Sequence, residues 1–264
     1  MTDRIDTSVA HPARRYDYWL GGKDNFQADR DSGDLIAGLY PGIRTAAVEN
    51  RRFLRRAVSY LAREAGVRQF LDIGTGIPTA NNTHEVAQGI APESRIVYVD
   101  NDPIVLAHAR ALLQSSPEGR TAYLDADLRD PERILTDPDL LSTVDLSQPV
   151  GLMLIAVLHF ITDEEDPYAI VRRLLDALPS GSYVALSHGT LDFIPPEVKA
   201  AAEASSVRSD MYGRSRDEVA RFLDGLEIVE PGITVASEWR AEEEPQPRPA
   251  PSEVSVYGAV ARLP

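Results

Sequence analysis

The chain has 264 residues, 43% of them hydrophobic, which suits one large globular domain or two small ones. It holds no cysteine, so disulfides, thiol nucleophiles, zinc–thiolate centres and iron–sulfur clusters are excluded. With 27 basic against 41 acidic residues the net charge is −14, the wrong sign for non-specific binding to a phosphate backbone.

Residues 1–43 fit no regular alternation. They carry Tyr16, Tyr18, Trp19 and Phe26 among charges and glycines, and read as an appended cap that folds onto a core of residues 44–264. From Arg44 to Ala65 apolar residues recur at helical spacing, with Gly66 as a stop. Within that helix Arg51-Arg52 and Arg55-Arg56 form a charged stripe, expected to be a solvated face. Val67 to Ile73 reads as a strand ending in Gly74-Thr75-Gly76, and a helix follows with Asn82 and Glu85 at capping-box spacing.

The rhythm continues. Arg95 to Val99 is a strand that ends at Asp100, and Asp102-Pro103 caps a helix from Ile104 to Leu113. Thr121 to Leu124 is the third strand, and Asp130-Pro131 opens a short helix. Val150 to Val157 is nearly all apolar, the mark of a strand covered on both faces. Asp166-Pro167 opens a helix ending near Leu178, and Tyr183 to Ser187 is the fifth strand. Such alternation predicts an α/β fold with a doubly wound, mainly parallel sheet.

Beyond Ser187, Pro195 to Val207 and Arg216 to Leu223 read as helices, the second led by a Ser215/Glu218 capping box. Glu227 to Val229 and Val254 to Ala261 read as two last strands. Between them AEEEPQPRPAPS is acidic and proline-rich, and is expected to be an exposed loop. No stretch approaches the roughly 18 apolar residues of a membrane span. The opening MTDRIDTSVAHPARRYDYW has no apolar leader core, so the chain reads as soluble and cytoplasmic.

The loop in Phe70-Leu-Asp-Ile-Gly-Thr-Gly-Ile-Pro78 joins a strand to a helix, where glycines let a ligand approach free backbone N–H groups. It lacks the lysine of a P-loop, and Thr79 stands where a dinucleotide fold has its third glycine. Asp72, two residues before the first glycine, repels pyrophosphate and suits a ligand bearing an ammonium group. S-adenosylmethionine has that ammonium, a sulfonium, two ribose hydroxyls and adenine. Asp100 can accept from both ribose hydroxyls, and Asp127 can meet the adenine amino group beside the Leu128 backbone N–H. Three carboxylates at the ends of successive strands face the crevice where such sheets bind ligands.

FLDIGTGIPT, YVDNDP, DADLRDP and the LHFI stretch resemble the sequential motifs of class I S-adenosylmethionine-dependent methyltransferases. More narrowly, ARRYDYWLGGKDNFQADR and GIPTANNTHEVAQ resemble a group of actinobacterial methyltransferase-like proteins of unassigned function. The resemblance implies a Rossmann-like, seven-stranded sheet whose last strand is antiparallel, with S-adenosyl-L-methionine as cofactor, S-adenosyl-L-homocysteine as product and no metal. It places Asp72, Gly74 and Gly76 around the methionine portion, Asp100 on the ribose and Asp127 near adenine. Thr75, Pro78, Asn101, Leu128 and Ala156 complete the candidate cofactor set. Pro78 departs from the pattern, since many methyltransferases carry a third glycine there.

In-line methyl transfer needs alignment and at most one proton removal. His159, after the fourth strand, and His188, after the fifth, are the candidate general bases, the alternative for each being a hydrogen bond to nearby backbone. His11, His84 and His108 read as structural or solvated. In the cap, Tyr16, Tyr18 and Trp19 are candidates to exclude water and stack on ligand, Gly22 to allow bending, and Lys23 and Asn25 to reach the ligand. The expected activity is methyl transfer to a small-molecule acceptor. The alternative is a catalytically silent S-adenosylmethionine-binding protein of regulation or assembly.

Overall fold

A computed structural model of the protein describes residues 6–112, 115–196, 198–200 and 210–264. Helices α1 (Pro12–Trp19) and α2 (Gln27–Leu39) precede the long α3 (Ile43–Arg63). Strand and helix then alternate through β1 (Gln69–Ile73), α4 (Thr83–Ile90), β2 (Arg95–Asp100), α5 (Pro103–Leu112) and β3 (Arg120–Asp125). Next come α6 (Pro131–Leu135), α7 (Pro138–Thr143), β4 (Gly151–Ile155), α8 (Pro167–Leu175) and β5 (Tyr183–Gly189). The chain closes with α9 (Arg216–Arg221), β6 (Glu227–Ile228), β7 (Thr234–Val235), α10 (Pro251–Val254) and β8 (Val256–Arg262). Most of the helix expected from Pro195 to Val207 lies outside the described residues, as does Leu113 at the end of α5.

The helix starts are set by the residues that the pattern singled out. Asp102 Oδ1 accepts from the Ile104 N–H at 2.9 Å, Asp130 from Arg133 at 3.2 Å and Asp166 from Ala169 at 3.2 Å. In each case proline fills the first helical position, where a missing N–H costs nothing. The Asn82 N–H donates to Glu85 at 2.8 Å, and that of Ser215 to Glu218 at 2.7 Å, as capping boxes require.

The strands run in the order β3-β2-β1-β4-β5-β8-β6, with β7 also on β8. Pairing is parallel from β3 across to β5, and β8 lies antiparallel to β5. Every residue of β1 and β4 is buried, because both sheet faces are covered. Period-two alternation sends Leu71, Val97 and Leu152 to the face packed by Ile170 and Leu174 of α8. Phe70, Ile96 and Met153 go to the other, packed by Phe53, Leu54 and Leu61 of α3.

The expected seven strands become eight because the edge strand is interrupted. Glu227–Ile228 pairs with Ala261 and Arg262, and Thr234–Val235 with Tyr257 and Gly258, so β6 and β7 are two pieces of one edge split by a turn at Pro231-Gly232. Two expectations about exposure are corrected. Arg56 is buried, donating to the carbonyls of Trp239 at 2.7 Å and Ala236 at 2.6 Å and to Glu244 at 3.0 Å. The acidic loop is therefore not wholly solvated: Glu244 is buried as the counter-charge of Arg55 and Arg56. A buried guanidinium needs such a partner, and that partner lies far away in sequence.

Candidate functional site

Parallel pairing brings the carboxyl ends of β1 to β5 to one sheet edge, and the strand order reverses direction between β1 and β4. Open α/β sheets bind ligands at that reversal. Here a cavity of about 660 Å³ opens, walled by the strand ends and covered by α1, α2 and α3. Its size is ordinary for a small-molecule site.

The glycine loop turns away from β1 with Gly74 at φ +74° and Gly76 at φ +69°, the left-handed region that favours glycine. At Gly74 space is also forbidden, since a Cβ would lie 2.4 Å from Val157 Cγ2. Thr75 Oγ1 donates to the Asp72 carbonyl at 3.0 Å and fixes the turn. Asp72 is buried, its Oδ2 accepting from Thr83 Oγ1 at 2.5 Å, and burial pushes its pKa up to about 6. Burial raises Asp100 to about 6 as well, against hydrogen bonds from the Asp102 N–H at 2.9 Å and the Gly76 N–H at 2.8 Å.

One strand further, Asn101 Nδ2 donates to Asp127 Oδ2 at 2.8 Å, and the Arg129 N–H donates to Asp127 Oδ1 at 2.9 Å. Partial burial works to raise the Asp127 pKa, but these bonds and the Arg129 charge prevail and lower it. Asp72, Gly74, Thr75, Gly76, Asp100, Asn101, Asp127, Leu128 and Ala156 all line the cavity. Pro78 is not among the lining residues. Ala156 sits at φ +54°, a conformation costly for a side-chain-bearing residue, and is held there by the Ser187 hydroxyl accepting its N–H at 2.9 Å.

The two histidines occupy different places. His159 lines the cavity, and its Nδ1 accepts from the Gly189 N–H at 3.2 Å, so the neutral ring carries its proton on Nε2. Burial, with the nearby His188 and Arg214, holds its pKa well below the usual imidazole value. His188 stands behind the wall and is not among the lining residues. Its Nδ1 bonds the Gly189 carbonyl at 2.7 Å and its Nε2 lies 3.0 Å from Arg214 Nη1. Burial lowers its pKa to about 4.

Arg214 carried no signal in the sequence. It is buried, donating to the carbonyls of Leu158 at 3.2 Å and Ile161 at 3.0 Å and to Asp163 at 2.6 Å. It thereby ties the turn that carries His159 to the segment following β5.

In the cap, Tyr16 and Trp19 line the cavity, whereas Tyr18, Gly22, Lys23 and Asn25 are not among the lining residues. Tyr18 turns outward, its hydroxyl donating to Asp34 at 2.9 Å and its ring beneath Arg44. Asp17 gathers the loop after α1, accepting from the Asp24 N–H at 3.0 Å and Asn25 Nδ2 at 2.8 Å. Gly22 is required there because a Cβ would lie 1.9 Å from Asp17 Oδ1. Lys23 is exposed. The cap is locked to the core by buried Asp102, whose Oδ2 lies 3.1 Å from His11 Nδ1 and 3.3 Å from Arg14 Nε.

Among the lining residues that went unrecognised in the sequence are Tyr40, Asn50 and Ser255. Asn50 donates to the Tyr16 hydroxyl at 3.0 Å, which donates onward to the Ala47 carbonyl at 2.9 Å. Among the described residues, Asn50 Oδ1 is buried without a hydrogen-bond partner, and the buried hydroxyls of Tyr40 and Ser255 lie against each other. Only Tyr40-Pro41-Gly42, an aromatic before a proline–glycine turn, offered a hint of special geometry.

Comparison with known proteins places this geometry. The family model described as S-adenosyl methyltransferase matches residues 1–264. A crystal structure of a DUF574 family protein from Streptomyces avermitilis is 52% identical, with 99% of this chain and 100% of that one covered and a TM-score of 0.92. A protein from Thermobifida fusca, classed as a candidate methyltransferase, is 41% identical over 98% of this chain and 96% of its own, with a TM-score of 0.89. The mitomycin 7-O-methyltransferase MmcR shares the fold at 19% identity, with a TM-score of 0.52 over 84% of this chain and 56% of that one. No curated protein matches.

Proposed function

The chain belongs to the S-adenosyl methyltransferase family, and from that premise we propose that it transfers a methyl group in line to a small-molecule acceptor held in the cavity beneath α1 to α3. The observation that carries this reading is the set of three carboxylates, Asp72, Asp100 and Asp127, on one cavity wall at the ends of three neighbouring strands.

The residues fit the cofactor of the family. Each oxygen of Asp100 already accepts one backbone N–H and keeps a second lone pair, which suits a pair of vicinal hydroxyls. Asp127 and the Leu128 N–H provide the acceptor and donor that an adenine edge needs. Asp72 supplies negative character for an ammonium-bearing tail. The sulfonium cofactor, when bound, supplies an activated methyl group.

What remains for the chain is positioning and exclusion of water. Tyr16 and Trp19 close the cavity from above. His159 presents Nε2–H as a donor at neutral pH and so orients an acceptor; it is not poised to take a proton. The net charge of −14 supports a small molecule over a nucleic acid as acceptor.

Calorimetric titration with S-adenosylmethionine, S-adenosylhomocysteine and NAD, on the native chain and on Asp100→Ala, tests the reading. Saturable binding of the first two, weakened at least about tenfold in the variant, is the expected result. Binding of NAD alone would overturn it.

A further inference from the structure

In the sheet, Asp72 lies between Tyr98 of β2 and Met153 of β4, both buried. Paired residues of neighbouring strands send their side chains to the same face, so the carboxylate stands in a dry layer that disfavours its charge. Into that layer α4 brings a hydroxyl. Thr83 Oγ1 donates to Asp72 Oδ2 at 2.5 Å, and Thr83 is 1% exposed.

Thr83 is the first residue of α4, and several bonds fix where that helix begins. The His84 N–H donates to Tyr98 Oη at 2.7 Å, and His84 Nδ1 lies 2.8 Å from the same oxygen. Tyr98 is itself the register partner of Asp72. The strand pair that carries the carboxylate therefore also anchors the helix that carries the hydroxyl. From α3, Arg51 donates to the carbonyls of Ala80 and Asn81 at 3.2 and 3.3 Å and holds the stretch that leads into α4. Helix capping does not account for Thr83, since Asn82 and Glu85 already perform it.

The groups facing the carboxylate act in opposite directions. Burial favours the neutral acid, whereas the Thr83 hydroxyl and the Arg51 charge favour the anion. Tyr98 stays neutral, because burial and the Asp72 charge both raise its pKa. Of these groups, Thr83 bonds the carboxylate directly and sets its rotation.

Resting on the methyl-transfer reading, we infer that Thr83 is a positioning residue for the cofactor: by taking Oδ2 of Asp72, its hydroxyl leaves Oδ1 aimed at the ammonium of the methionine tail. Thr83 acts through Asp72 rather than on the ligand. A protonated Asp72 is a weaker partner for an ammonium than the anion, and a hydrogen bond to the anion keeps that form populated.

The test follows two ligands on the full chain by calorimetry from pH 5.5 to 8. S-adenosylhomocysteine carries the ammonium tail; methylthioadenosine has the same nucleoside and thioether without it. Both present a ribose to Asp100, so the ratio of their affinities cancels the titration of that group and reports the tail. In the parent the ratio is expected to favour S-adenosylhomocysteine at pH 8 and to fall as pH drops through about 6, where Asp72 takes up a proton. Thr83→Val is expected to move that fall up by about one pH unit, which puts the ratio about fivefold below the parent's at pH 6 and close to it by pH 8. Thr83→Ser restores the parent profile. Methylthioadenosine affinity within about twofold of the parent's reports that each variant is folded. Asp72→Asn, which has no proton to gain, is expected to give a low ratio that is flat with pH.

A merely structural Thr83 lowers both affinities together and leaves the midpoint of the ratio in place. That result, a parent ratio flat with pH, or an Asp72→Asn ratio that still falls near pH 6 overturns the inference while the methyl-transfer reading stands. If neither ligand binds the parent, the methyl-transfer reading falls and this inference falls with it.

Discussion

The carboxylate of Asp100 accepts the N–H of Gly76 at 2.8 Å, so one side chain at the end of β2 also holds the turn that follows β1. Gly76 sits at φ +69°, and that bond is what stops a left-handed, unbranched residue from sampling other conformations. The carboxylate proposed to hold the cofactor ribose is therefore also the one that orders the loop. Removal of the carboxylate affects the loop even in the ligand-free protein.

In Asp100→Ala the Gly76 amide is expected to exchange with solvent about tenfold faster or more, while amides of β1 and β4 keep their protection. Hydrogen exchange read by mass spectrometry or NMR measures this. Uniform loss of protection across the sheet would show that the effect is global and the coupling does not exist.

The role proposed for Asp72 in ligand binding is set against stability. Burial raises its pKa from the usual 3.8 to about 6, so the folded state holds a proton that the unfolded state releases between those values. Stability from this group is complete below about pH 4 and lost as pH rises through about 6. Asp72→Asn is therefore expected to stabilise the ligand-free protein by about 1–3 kcal/mol at pH 8, with the gain vanishing near pH 4. The same change is expected to weaken S-adenosylhomocysteine binding. A variant less stable than the parent at pH 8 in chemical denaturation sinks this account.

The two loop glycines are needed for different reasons, and a double-mutant cycle separates them. Gly76→Ala meets open space and is expected to cost about 1–2 kcal/mol from the backbone alone. Gly74→Ala adds a clash with Val157 and is expected to cost more. Adding Val157→Ala to Gly74→Ala restores part of the loss, giving a coupling energy of about 0.5–3 kcal/mol, whereas with Gly76→Ala the effects add. Additivity in both cycles contradicts the packing assigned to Val157.

Arg214 and the paired histidines make a fourth case. Lysine in place of Arg214 cannot span Leu158, Ile161 and His188 together, so Arg214→Lys is expected to lose about 2–4 kcal/mol in urea unfolding. In the parent protein, imidazole NMR signals of His159 and His188 are expected to stay neutral from pH 5.5 to 8, since one titrates near 4 and the other well below its usual value. A titration midpoint for either ring inside that window refutes the arrangement.

Much of the sheet was legible because its signals are local. A buried parallel strand is a continuous apolar run, and a helix start is an Asp-Pro or a capping box, so β1 to β5 and the helices after them lie close to where periodicity puts them. Helix α2 was not legible, because its buried side chains include Asp29 and its neighbours contribute little apolar period. Asp29 replaces a hydrophobic anchor with hydrogen bonds from the N–H groups of His11 and Phe26, both at 2.8 Å. Arg56, Arg214, Tyr40 and Ser255 were invisible for another reason. Their roles depend on partners brought together only by the folded sheet, and a lone polar residue in one dimension has no such neighbours. The cavity-lining carboxylates were legible because each sits at a strand end, which the strand pattern already marks.

Placement of Ser255 just before β8, on the same cavity as Tyr16, Asn50 and the strand ends, has a consequence for synthesis. A ribosome that has translated the glycine loop, Asp100 and Asp127 has made the acidic side of the cavity and, with Tyr40 and Ile43, part of what lies opposite it, but none of the lining residues from β4 onward. The last of these lining residues, 254–256, come roughly 180 residues after the glycine loop. A prematurely released fragment thus carries most of the acidic half beneath an unfinished wall, so competence at this site is itself a check that translation has run nearly to completion.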